Sequence, residues 1–185
     1  MHYSQQIRVA ARTVHRGGVI AYPTEGVFGL GCDPFNSDAV ARILTIKSRP
    51  VEKGVILIAS HVRQLLPFLT DLSSEQRLLL NSTWPGPFTW VIPHNGLLPF
   101  WITGGRSTIA VRVTNHPVAK ALCEAIQFPL VSTSANRTTR PALITGLQVR
   151  TQLGKEVDFI VGGRVNTPGQ ASQIRDLVSG HQFRS

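Results

Sequence analysis

Apolar positions along the chain follow two periods, and the points where the period changes mark the elements. Between Ser4 and about His15, Ile7, Ala10, Ala11 and Val14 recur at intervals of three and four, which predicts an amphipathic helix capped by Ser4. Gly17-Gly18 ends it. Val19-Ile20-Ala21-Tyr22 is a strand-sized apolar run, and Pro23, unable to donate to a central ladder, should close it. Gly26, Gly29 and Gly31 predict a loosened turn. Asn36-Ser37-Asp38 is an N-cap cluster leading into the helix-spaced face Ala39, Val40, Ile43, Leu44 and Ile46, and Pro50 stops that helix.

The same reading continues downstream. Val55–Ala59 predicts a central strand, and a short helix disturbed by Pro67 follows around Val62–Leu69. Ser73 with Gln76 forms a capping box for a helix through Leu80. Trp84-Pro85-Gly86-Pro87 is a rigid turn before a strand over Phe88–Ile92. Thr108–Val113 is another strand. Asn115 or His116 can cap a helix over Pro117–Ile126, and Leu130-Val131-Ser132 is a short strand with Ser134-Ala135-Asn136 at its end. Thr145 caps a helix through Leu153, Asp158–Val161 is a strand, and Ile174 with Leu177 marks a last short one. Alternating strands and helices give an α/β protein. The turn-rich spacing between Thr83 and Ser107 favours some antiparallel pairs, hence a mixed open sheet. With no repeat and no linker, residues 1–185 are expected to form a single domain.

Composition narrows the class. Hydrophobic content of 42% and charged content of 16% suit a globular protein in water. The apolar runs are strand-sized, too short to span a membrane, and MHYSQQIRVA lacks a signal-peptide core. Cys32 and Cys123 make neither a disulfide framework nor a metal spacing, which favours free buried thiols and a cytoplasmic location. The net charge of +9, carried mostly by arginine, favours a polyanionic partner such as a nucleotide or nucleic acid.

Several cations have a specific setting. Lys47 and Arg49 fall at the end of the second helix, where they would complement its dipole or hold an anion, and Lys53 follows in the loop. Arg112 interrupts an apolar strand, an expensive position unless it is paired. It could pair with Glu25 or Asp33, or face a cleft. Arg8, Arg12 and Arg16 recur on one face of the first helix, as a solvated face or as phosphate contacts for RNA. No G-x-x-x-x-G-K-[ST] loop is present, Gly29-Leu30-Gly31 fails G-x-G-x-x-G, and the histidines form no H-E-x-x-H set, so no structural metal is expected. A nucleotide would have to be held by side chains and strand-end loops.

The string A-Y-P-T-E, G-L-G-C-D, K-S-R-P-x-x-K over Ala21–Lys53 resembles the opening motif of the YrdC/TsaC family, the L-threonylcarbamoyladenylate synthases. Trp84–Thr89 (WPGPFT), Ser107–Arg112 (STIAVR), Ser132–Asn136 (STSAN) and Ser172–Asp176 (SQIRD) match later family motifs in the same order. The resemblance implies a twisted mixed open sheet with surrounding helices and a concave basic face. It implies nucleotidyl transfer: L-threonine, bicarbonate and ATP give threonylcarbamoyl-adenylate and pyrophosphate for threonylcarbamoyladenosine in tRNA. By motif, Lys47 and Arg49 would be the catalytic cations. Lys47, Arg49, Lys53, Thr108, Ser134, Asn136 and Arg184 would bind ATP, with Mg2+ as the phosphate counterion. Thr24, Arg112, Ser132 and Ser172 would hold L-threonine. tRNA or double-stranded RNA and tRNA-modification proteins would be partners. Two departures stand out. Where the family usually continues Leu-Ser-Gly after Asn136, this chain has Arg137-Thr138-Thr139-Arg140, which would add two charges beside the site. Ala142 replaces a small polar residue near the nucleotide. Two other classes fit the same features: an RNA-binding or ribosome-assembly factor using the basic face, and a carbamoyl-transfer module like that inside hydrogenase-maturation proteins.

Overall fold

The computed structural model describes residues 2–184. The first helix, α1 (Tyr3–His15), begins after His2 rather than Ser4 and has no side-chain cap, while Ile7, Ala10, Ala11 and Val14 are its buried face as the spacing predicts. Strand β1 (Ile20–Pro23) turns back antiparallel into β2 (Phe28–Gly31). Helix α2 (Ser37–Lys47) starts at Asn36, whose side chain accepts from the Ala39 amide, and ends at Ser48 in the left-handed conformation. Strand β3 (Ile56–Ala59) follows. The helix expected over Val62–Leu69 is two separate 3-10 turns, Val62–Gln64 and Leu66–Phe68, divided where Pro67 removes a donor. Helix α3 (Ser74–Thr83) carries the full Ser73/Gln76 capping box.

Strand β4 (Phe88–Pro93), a one-turn helix α4 (Phe100–Thr103) and strand β5 (Thr108–Val113) come next. Helix α5 (Pro117–Ile126) opens with proline in its first turn and no side-chain cap from His116. Strand β6 (Leu130–Ser134), helix α6 (Gly146–Leu153) with its Thr145/Gln148 box, and strands β7 (Phe159–Ile160), β8 (Gln173–Asp176) and β9 (Gln182–Arg184) complete the order.

All nine strands join one mixed sheet in the order β7-β1-β2-β6-β3-β5-β4-β8-β9. The pairs β1/β7, β3/β5 and β4/β8 are parallel, and the others are antiparallel. The segment read as a loosened turn is therefore partly a strand: Gly29 and Gly31 lie in β2. A β-carbon on Gly31 would sit 2.8 Å from the Tyr22 ring and 2.7 Å from the Val131 carbonyl oxygen, so glycine here admits close strand packing instead of flexibility.

The sheet is buried on both sides. Ile20, Tyr22, Ile58 and Leu130 pack against α1 and α5, while Ala21, Phe28, Leu57 and Val131 pack with α2, α4 and α6. The register sets Arg112 beside Ile58, so alternation places it on the α1/α5 side of the sheet. Thr24, Ser134 and Ser172 fall just beyond or at strand ends, at the mouth of the sheet.

Candidate active site

A cleft of about 370 Å³ opens where β1, β2, β5 and β6 meet the C-terminus of α2. Lys47, the last residue of α2, points its ammonium across it. Nζ donates to the Ser134 carbonyl at 2.6 Å, the Asn136 carbonyl at 3.0 Å and Asn136 Oδ1 at 2.9 Å. Ser134 Oγ in turn donates to Asn136 Oδ1 at 2.7 Å. Thr138 closes the arrangement from the other side, since its amide and hydroxyl both donate to the Lys47 carbonyl. An open end of α2 is thus capped by the loop after β6. Lys47 is only 4% exposed, and its ammonium is held by the loop after β6. Burial, with Arg49 nearby, lowers its pKa from 10.5 to about 8.

Arg49 follows the left-handed Ser48. Its Nε and Nη2 donate to the Gly54 carbonyl at 3.1 and 2.9 Å, and Nη2 also reaches the Lys53 carbonyl at 3.2 Å. The guanidinium fastens the turn 51–54 onto the helix end and lies between two spaces. One is the cleft. The other is an adjoining cavity of about 360 Å³ that also contains Lys53 and Thr108. Burial and the neighbouring Arg106 hold the Arg49 pKa below its ordinary value.

The opposite wall carries hydroxyls and two more arginines. Thr24 Oγ1 donates to the Val27 carbonyl at 2.7 Å as the chain turns from β1 to β2. Ser132, on β6, is buried beside Gly29. Arg112 Nη2 lies 3.4 Å from Glu25 Oε2, and Glu25 Oε1 accepts from Thr114 Oγ1 at 2.7 Å and the Asn115 amide at 3.1 Å. Both sequence alternatives for Arg112 are therefore realised together: it pairs with Glu25 and lines the cleft. Asp33, the other acid considered, accepts from the Phe35 amide instead. Ser172 is buried and shares a 2.9 Å hydroxyl contact with Thr89. Arg184 on β9 donates from Nε to the Ser172 carbonyl and from Nη2 to its hydroxyl. The strap 167–172 rests on Gly26, whose added β-carbon would stand 1.6 Å from the Gln170 carbonyl oxygen.

Thr24, Lys47, Arg49, Arg112, Ser132, Ser134, Asn136, Ser172 and Arg184 thus meet in one cleft, and Lys53 and Thr108 stand in the next space. Arg8 and Arg12 line a separate groove with His15 and Ala125, away from the cleft, and Arg16 is exposed near it. Arg137 and Arg140 do not crowd the cleft either. With Ala142 they line a groove against α6, where Arg137 pairs with Glu156. Sequence reasoning offered Glu25 as one of two acids for Arg112, but it missed Thr138 as the cap of α2 and gave Arg106 no role. The last had a signal: it follows two glycines and immediately precedes the matched motif Ser107–Arg112.

The donor set bears on a metal. Among the described residues no three His, Cys, Asp or Glu side chains cluster to hold an ion. Glu25, the carboxylate at the cleft, is committed to Arg112, Thr114 and Asn115. These residues suit an anion, with any divalent ion arriving on it.

A mixed sheet with a cationic cleft at its strand ends defines an anion-binding α/β protein. The chain belongs to the Sua5/YciO/YrdC family, described by the phrase telomere recombination, whose model matches residues 12–184. It is 49% identical over 179 residues to the threonylcarbamoyl-AMP synthase of Cellvibrio japonicus, covering 97% of this chain and 95% of that one. The enzyme of the same name from Pseudomonas paraeruginosa is 50% identical over 181 residues, covering 98% and 97%. The crystal structure of P. abyssi Sua5 complexed with L-threonine superposes with a TM-score of 0.88 at 33% identity, covering 95% of this chain. This chain spans about half of that Sua5 chain, 52%.

Proposed function

We propose that this protein is a threonylcarbamoyl-AMP synthase, joining L-threonine, bicarbonate and ATP and releasing pyrophosphate. The observation that carries the reading is the meeting in one cleft of two sets of groups that the motifs keep far apart in sequence: Lys47, Arg49, Ser134 and Asn136 on one wall, Thr24, Arg112, Ser132 and Ser172 on the other. The curated relatives of that name, matched over nearly their whole length, support it.

The threonine amine condenses with bicarbonate to a carbamate, losing water. A carbamate oxygen then forms a bond to the α-phosphorus while the bond from that phosphorus to the bridging oxygen breaks, and pyrophosphate leaves with the electron pair. No residue need form a covalent intermediate. What the step needs is alignment and neutralised charge. Arg112 suits the threonine carboxylate, with Thr24, Ser132 and Ser172 as short hydrogen-bonding groups around it. Lys47 and Arg49 are the cations for the reacting phosphates. Because the three N–H groups of Lys47 already have protein acceptors, it orders Ser134 and Asn136 and exchanges one acceptor for phosphate oxygen. Lys53, Thr108 and Arg184 complete the nucleotide contacts. Mg2+ would be held by the triphosphate that Lys47, Arg49 and Lys53 bind, and would supply further neutralisation of its charge.

The product serves threonylcarbamoyladenosine formation in tRNA, a cytoplasmic task, with tRNA-modification proteins as receivers. The exposed row Arg8, Arg12 and Arg16 would meet RNA backbone only weakly and with steep salt dependence. The chain has no helix long and apolar enough to cross a membrane among its described residues. Purified protein supplied with ATP, Mg2+, bicarbonate and L-threonine should release pyrophosphate, and omission of either threonine or bicarbonate should stop it. Release indifferent to both omissions overturns the proposal.

A further inference from the structure

The cavity beside the cleft combines an apolar floor, including Val91, Ile102 and Ile109, with three cations, Arg49, Lys53 and Arg106, and no acid. Arg49 is committed to the Gly54 and Lys53 carbonyls. Arg106 is different. Its backbone is clamped: the amide donates to the Thr103 carbonyl, and the Arg106 carbonyl lies 2.8 Å from His94 Nε2. Its side chain makes no hydrogen bond or ion pair among the described residues.

The placement of Arg106 beside Arg49 is built in. Gly54 and Gly104, at φ +59° and +65°, lie back to back. A β-carbon on Gly104 would fall 2.4 Å from the Glu52 carbonyl oxygen, and one on Gly54 3.0 Å from the carbonyl oxygens of Ile102 and Thr103. The Val55 amide donates to the Ile102 carbonyl at 3.0 Å, which ties the two turns together. The fold therefore spends two tight glycine turns on bringing two like charges to one rim. Their mutual repulsion helps hold the Arg49 pKa down. An anion between them reverses that penalty, and an apolar body attached to the anion fits the floor.

We propose that Arg106 is a further phosphate-binding residue for the nucleotide, acting with Arg49 and Lys53 at the rim of this cavity. The inference rests on the ATP-dependent reading above and adds a residue to it. Because the side chain has no partner in the fold, its removal leaves the structure alone and reads out in binding.

The test is calorimetric titration of ATP and of adenosine into the wild-type protein, Arg106→Gln and Arg49→Gln, with melting temperatures measured alongside. Arg106→Gln should bind ATP about tenfold more weakly, keep adenosine affinity within about twofold and melt as wild type does, since a bond to a charged group is lost and nothing apolar changes. Arg106→Lys should recover part of the loss. If Arg49→Gln weakens ATP binding but Arg106→Gln does not, or if Arg106→Gln weakens adenosine as much as ATP, the assignment of Arg106 is overturned and the function stands. If the wild-type protein binds no ATP, the function falls and this assignment with it.

Discussion

Arg112 Nη2 and Glu25 Oε2 face one another at 3.4 Å with both side chains nearly sealed from solvent, one from near the end of β5 and the other from the turn after β1. That spacing is loose for an ion pair, and Arg112 Nε has no hydrogen-bond partner. An arginine held by one weak partner, with a donor to spare, is poised to take a second carboxylate. Arg112→Gln should raise the KM for threonine at least tenfold and leave ATP affinity within about twofold, because Gln keeps a donor toward Glu25 but offers no charge to a ligand. Steady-state kinetics with each substrate varied in turn checks it. An unchanged threonine KM in a folded variant removes Arg112 from the threonine site.

Lys47 gives activity and stability opposite responses to pH. Its folded pKa of about 8 lies below the ordinary 10.5, so the native protein gives up this proton before the unfolded chain does. Between those values this group alone makes stability rise with pH. Over the same interval the ammonium that orders Ser134 and Asn136 is lost, so turnover should fall above about pH 8 with no drop in melting temperature. Lys47→Arg, which does not titrate there, should be slower yet flat from pH 7.5 to 9.5, within the range where arginine stays charged. A decline in the variant that parallels wild type refutes the assignment to Lys47.

Thr139 carries a strained backbone. It sits at φ +71°, a region where a β-branched residue is out of place and glycine is at ease. The left-handed conformation costs about 1–2 kcal/mol for such a residue, and the extra freedom of glycine in the unfolded chain returns roughly half of that. Thr139→Gly should therefore raise the melting temperature by about 2 °C in differential scanning calorimetry. A lower melting temperature contradicts the strain.

Gly26 tests the wall opposite Lys47. Alanine there needs no unusual dihedral, but its β-carbon would lie 1.6 Å from the Gln170 carbonyl oxygen, backbone that cannot swing aside as a side chain can. Gly26→Ala should displace the strap 167–172, and Ser172 with it, cutting threonine-dependent turnover about a hundredfold while ATP affinity holds. Turnover near wild type shows that the strap is dispensable.

Elements with their own local signals were legible in the sequence. The Asn36 cap, the Ser73/Gln76 box, the Thr145 cap and the buried stripe of α1 all stand where their residues predict. Strand β2 was not, because Gly29 and Gly31 weaken a strand in isolation and are tolerated only when Tyr22 and β6 press against them. Strand β9 is three exposed residues with no apolar run, held by pairing with β8. In the cleft, the motifs supplied names but not partners. The sequence left Glu25 and Asp33 as alternative partners for Arg112, and only the sheet decides between them. The two charges expected beside the site, Arg137 and Arg140, line a groove against α6, where Glu156 pairs with Arg137, and nothing local in the sequence points to that partner.

The cleft is assembled from opposite ends of synthesis. Its cationic wall is complete once the loop through residue 140 has closed on α2, since Lys47, Asn136 and Thr138 then have all their partners. Its hydroxyl wall waits for the strap on Gly26, for β8 beside β4, and for Arg184 to grip Ser172. Of the residues on that second wall, Ser172 and its partner Arg184 come from the last fifteen residues of the chain, while Thr24, Arg112 and Ser132 come before Asn136. The two half-sites are therefore joined through β8 and β9 at one edge of the sheet, and a loss of pairing at that edge would cost the threonine side of the cleft before the phosphate side.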